Sequence, residues 1–140
     1  LDAYTKGVTA HIDFSRTYAP DPAMFDQRKA AYLASEEIMP KTSEGLTLSK
    51  IMLQKYIATW GWGFLETWSD MRRYHYNKDG EVYTSFVLPS PLNVSNQGEP
   101  AYRARPRYNS EYMWNQEALR ALGGNDENYH TYETWFSKHE

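Results

Sequence analysis

Residues 47–73 read TLSKIMLQKYIATWGWGFLETWSDMRR, and the packing of this stretch decides the fold. Leu53, Ile57, Trp60, Phe64, Trp68 and Met71 recur at intervals of three and four residues, the spacing that gathers side chains on one helix face. Leu48, Ile51, Met52, Tyr56 and Leu65 widen that face. The pattern predicts a central helix opened by Thr47 or Ser49, with Trp60, Phe64 and Trp68 in the core. Gly61 and Gly63 interrupt it. Each glycine costs about 1 kcal/mol relative to alanine inside a helix, so a kink or a break into two helices is expected at Trp60–Gly63.

Towards the N-terminus, Tyr4, Val8, Ile12 and Ser15 keep the same spacing and predict a helix over residues 2–16. Asp21-Pro22 combines a capping side chain with a first-turn proline, so a second helix is expected over 22–39, stopping before Pro40, with Phe25, Leu33 and Ile38 inward. Residues 74–109 lose helical periodicity. Asn77-Lys78-Asp79-Gly80 signals a turn, and residues 81–88 alternate well enough for one short strand or hairpin arm. Pro89, Pro91, Pro100 and Pro106 make the remainder a long irregular excursion of the kind that is usually functional. A short helix is expected over 115–122, capped by Asn115 and closed by Gly123-Gly124. The tail is polar apart from Tyr129, Tyr132, Trp135 and Phe136.

A single fragment of 140 residues suffices for one core. The net charge of −3, with no dense Lys/Arg stripe, argues against a nucleic-acid partner. Apolar runs are far shorter than the roughly 20 residues that cross a bilayer. There is no cysteine, which removes disulfides and thiolate chemistry. The first residue is Leu1 rather than Met, and the chain reads as a fragment of a longer protein.

The histidines at 11, 75, 130 and 139 lack the spacing of a zinc-binding helix, so no metal site and no cofactor is expected. Glu66 and Asp70, four apart, are a tempting acid/base pair, and glycosidases do use two carboxylates. Arg72 and Arg73 follow within one turn, however, and surface ion pairs are the simpler reading. What recurs is aromatic residues in polar chain. With 12 Tyr and 5 Trp, the composition suits sugar rings, whose C–H faces stack on aromatics while their hydroxyls find polar partners. The candidate ligand-binding residues are Trp62, Tyr76, Tyr83 and Tyr102.

Several strings together resemble the SusD-like (SusD/RagB) family of outer-membrane nutrient-binding lipoproteins. Tyr4-Thr5-Lys6-Gly7-Val8-Thr9-Ala10 resembles the family's Tyr-x-x-Gly-Ile/Val-x-Ala helix, and Ala31-Tyr32-Leu33-Ala34 resembles the segment after it. The string from Ile51 to Ala58 is similar to Ile-x-x-Gln-Lys-Tyr/Trp-Ile-Ala, and that from Glu66 to Arg73 to Glu-x-Trp-x-Asp-x-Arg-Arg. The stretch from Arg105 to Tyr112, followed by Asn115, resembles Pro-Arg-x-x-Tyr-Pro-x-x-Glu. Gly123-Gly124-Asn125-Asp126 with Trp135-Phe136 matches the C-terminal pattern. The six strings occur in the family's order along nearly the whole chain. Asn109 stands where the family commonly has proline, and Gly61-Trp62-Gly63 replaces its usual polar turn.

The resemblance implies the C-terminal part of a mainly α, tetratricopeptide-containing fold, with a long irregular loop and at most one short hairpin. It further implies an N-terminal portion carrying a lipid anchor, a place on the outer membrane, and a SusC-like TonB-dependent transporter as partner in nutrient uptake and polysaccharide utilization. Family members bind oligosaccharides or peptides without altering them, so no enzyme activity is expected. Gln54, Glu66, Trp68, Asp70, Arg72, Arg73, Arg107 and Glu111 are expected to form a polar network joining the central helix to the long loop. Two alternatives stand beside this reading: a glycoside hydrolase subunit using Glu66 and Asp70, and a purely structural helical interaction module.

Overall fold

A computed structural model of the chain describes residues 1–77, 80–105 and 108–138. The protein is mainly helical. Among the described residues there are six α-helices: α1 Asp2–Arg16, α2 Pro22–Ala34, α3 Leu48–Thr59, α4 Phe64–Arg73, α5 Tyr108–Trp114 and α6 Gln116–Ala121. One-turn 3-10 helices lie at His75–Asn77, Val94–Asn96 and Tyr129–Thr131. The chain divides into two compact units, Leu1–Thr67 with Gly80–Thr84, and Trp68–Asp79 with Ser85–Glu140.

In the first unit α1 has the expected span, and Val8 is the buried centre of the face shared with Tyr4, Ile12 and Ser15. This face packs against α2 and α3. Tyr4 Oη donates to the Ile38 carbonyl at 2.7 Å, and the Arg16 guanidinium grips Asp26 through two bonds of 2.7 and 2.8 Å. Those bonds hold the Asp26 carboxyl below the usual carboxylate range. The Asp21 side chain caps α2 by accepting from the Met24 N–H at 3.0 Å, with Pro22 in the first turn. Asp21→Ala is expected to cost about 1 kcal/mol, read as a lowered Tm; an unchanged Tm would mean the cap contributes nothing.

The second helix ends at Ala34, five residues short of the expected Met39. Ser35 is extended, and its carbonyl accepts from the N–H groups of Ile38 and Met39 in a tight turn. A continued helix would place Glu36 and Glu37 at the negative end of the helix dipole. For α3 the cap is Thr47 and not Ser49: its Oγ1 accepts from the Lys50 N–H at 3.3 Å, while Ser49 Oγ donates to the Val82 carbonyl at 2.7 Å.

The break between α3 and α4 occurs at Trp60–Gly63, with Gly61 at φ +79°. The long apolar seam does not bury. Trp60 is 75% and Phe64 71% exposed, Ile57 is also exposed, and Trp68 is half-buried. A stripe counted through the break is not one face, because the four irregular residues reset the helical phase. The expected strand over 81–88 is absent too; these residues are bends and turns where they are not irregular. Val82 and Tyr83 are consecutive and both buried, not the in-and-out alternation of a half-exposed strand.

In the second unit, α5 arises where no helix was expected. α6 lies inside the expected 115–122 span and closes as predicted, with Gly123 at φ +68° and the Gly124 N–H on the Leu119 carbonyl at 2.7 Å. Asn115 occupies the N-cap position without capping; its Nδ2 donates to Glu111 Oε2 at 2.8 Å. Leu119, Tyr129, Tyr102 and Arg72 are buried here, whereas Val8, Met52, Val82 and Tyr83 are buried in the first unit.

Candidate functional site

Of the four aromatic residues expected to meet ligand, three are packed by protein. Tyr83 is 2% exposed, its ring edge-on to Tyr56. Tyr102 is 9% exposed, and burial, helped by Glu133, pushes its hydroxyl up to about 12. Tyr76 stacks on Phe86 and meets Tyr102 edge-on, its hydroxyl accepting from Trp68 Nε1 at 2.8 Å and donating to the Ala101 carbonyl. These residues act in packing. Trp62 differs, with 70% of its surface exposed.

Of the expected polar network, Arg72 joins the central helix to the long loop. Arg72 is buried in the second unit, and its partners are the Tyr102 carbonyl at 2.9 Å, Ser69 Oγ at 3.0 Å, the Trp68 carbonyl, and the rings of Trp68 and Phe136 at 3.8 and 4.8 Å. Burial lowers its pKa, and carbonyls and rings are the surroundings it finds instead of a carboxylate. Gln54 lies in the first unit and donates to Tyr32 Oη at 2.7 Å. Glu66, at the surface of the first unit, is exposed, Asp70 in the second is half-buried, Arg73 is exposed, and Glu111 pairs with Asn115. Arg107 lies outside the described residues.

Arg103 and Arg105 tie the segment after Tyr102 to the tail. Arg103 donates to the carbonyls of Tyr132 and Glu133, both at 2.6 Å. Arg105 reaches the carbonyls of Gly124, Asp126 and Glu127 as well as Tyr112 Oη. The planar, five-donor guanidinium can satisfy several carbonyls at once, tying an irregular segment to an irregular tail without strand pairing. A run of arginines beside Tyr102 was the available signal.

The first unit carries a cluster of exposed aromatic residues. Phe14 and Tyr18, four residues apart around the end of α1, meet edge-on at 5.5 Å. Gly61, left-handed with open space about its α-carbon, turns the chain so that Trp62 reaches both rings, at 6.2 and 6.3 Å. All three aromatics are exposed. Tyr18 also lines a cleft of about 310 Å³ between the end of α1 and the start of α2, together with Asp21 and Met24. Ser15, Phe25 and Arg28 are shared between it and a second cleft of about 370 Å³. That cleft has walls of Ile12, Phe25 and Ile57, with His11, Lys29, Tyr32 and Gln54 around them. Trp62, Tyr18 and the two clefts thus form one path along the helices.

Such a path offers flat apolar faces, hydroxyl and amide groups, and a guanidinium, which together suit binding of a ligand with apolar faces and polar groups. No group of three or more His, Asp or Glu side chains that could hold a metal ion occurs among the described residues, and no described helix is long and apolar enough to cross a membrane. Compared with protein-family models, curated proteins and solved structures, the chain matches none.

Proposed function

We propose that this chain captures glycans or other nutrients at the bacterial cell surface and passes them, chemically unaltered, to a SusC-like TonB-dependent transporter. In this reading it is the C-terminal part of a SusD-like, tetratricopeptide-containing receptor held at the outer membrane by a lipid anchor on its N-terminal portion. Two things support it. Six strings follow the family's order along the sequence, and the exposed Trp62–Phe14–Tyr18 cluster adjoins two clefts that share Arg28. The cluster is the observation that carries the proposal, because exposed aromatic rings gathered beside polar groups are the kind of surface that stacks on the C–H faces of sugars.

A glycan-array screen of the full chain tests it: at least one saccharide is expected to be retained, and retention of none would sink the proposal. For a saccharide so found, Trp62→Ala is expected to weaken affinity by about 1–3 kcal/mol, roughly 5- to 150-fold, the scale of losing one anchoring aromatic. The Tm should stay near wild type, since the side chain is exposed. Undiminished affinity would remove the cluster from the binding site.

A further inference from the structure

Arg28 lines both clefts of the first unit. Around it, the other cations on α1 and α2 are engaged: Arg16 with Asp26, Lys29 with Asp13, and Lys6 with Asp2. Among the described residues Arg28 itself makes no hydrogen bond or ion pair. The larger cleft places His11, Arg28 and Lys29 around walls of Ile12, Phe25 and Ile57, and no carboxylate lines it. In the smaller cleft the one carboxylate, Asp21, is turned to the Met24 N–H as a helix cap.

A recess with apolar walls and uncompensated positive charge is complementary to a ligand that has C–H faces and an anionic group. A guanidinium fork matches a carboxylate or sulfate through two parallel bonds, and Arg28, exposed where it lines both clefts, keeps that fork open to such a group. We infer that the ligand of this site is an acidic saccharide, with Arg28 pairing to its carboxylate or sulfate and Phe25 and Ile57 meeting the sugar face. The inference rests on the glycan-binding proposal and narrows its ligand class.

The test is calorimetric titration of the full chain with three probes: a galacturonate tetrasaccharide, its fully methyl-esterified and therefore neutral form, and a sulfated galactan tetrasaccharide. At least one acidic probe should bind tenfold or more tighter than the ester, and that advantage should shrink as salt rises. Arg28→Gln should remove most of the advantage, weakening the acids far more than the ester, and Arg28→Lys should restore part of it. The carboxylate and sulfate arms tell which acid is preferred. Ester and acids binding alike, Arg28→Gln binding acids as wild type does, or neutral array saccharides binding while neither acidic probe does, would each overturn the inference and leave glycan capture standing. No binding of these probes or of any array saccharide overturns both.

Discussion

Arg72→Ala is expected to destabilise the second unit by about 3 kcal/mol, given that a hydrogen bond from a charged donor contributes about 1.5–3 kcal/mol. The substitution removes the donor to the buried Tyr102 carbonyl and the bond to Ser69, and it empties the space over the Trp68 and Phe136 rings. A partly desolvated cation over a ring adds about 0.5–2 kcal/mol of its own. The loss would appear as a fall in Tm on the order of 10 °C. Arg72→Lys should recover only part of it, because an ammonium cannot lie flat between two rings while reaching the carbonyl. A Tm for Arg72→Ala equal to wild type would mean that this buried guanidinium does not hold the unit together.

Tyr83→Ala is expected to cost about 3–4 kcal/mol, the range for removing a large aromatic from a core. Tyr83 and Val82 are the buried residues contributed by the 80–84 segment to the first unit, anchored by the Ser49 bond to the Val82 carbonyl. Chemical denaturation would report the loss directly. Affinity for a bound glycan, corrected for the folded fraction, should stay unchanged. The reverse pattern, an intact Tm with lost affinity, would return Tyr83 to the ligand site.

What the sequence made readable was local. The bounds of α1, the Asp21 and Thr47 caps, the Gly61 break and the Gly123 terminus depend on residues within a turn or two, so spacing and capping chemistry located them. Burial of aromatic residues is decided by distant partners, and there the reading erred both ways. Trp60 and Phe64 are exposed although their spacing resembled a core stripe, whereas Tyr83 and Tyr102 are buried although they lie in turn-rich and proline-rich chain. The early end of α2 comes just before two glutamates that a helix dipole disfavours and a purely apolar count overlooks. The arginine bonds were missed because a backbone carbonyl, unlike a carboxylate, leaves no mark in the sequence.

The same division holds for the candidate site. Trp62 stood out because it lies between two glycines. Arg28, Phe25 and His11 did not, since they become neighbours only when α1 and α2 pack. Phe14 and Tyr18, four residues apart, could have been paired from spacing alone had the helix been followed one turn past Arg16.

The central claim is that ligand is met at Trp62 in the first unit, while Tyr76 and Tyr102 serve packing in the second. Tryptophan indole N–H resonances, followed by heteronuclear NMR during titration with an array-selected saccharide, test it most directly. The account predicts that the Trp62 resonance, assigned by its loss in Trp62→Phe, shifts on binding, and that the Trp68 resonance, held by the bond to Tyr76, does not. A fixed Trp62 signal alongside a shifting Trp68 signal would contradict it.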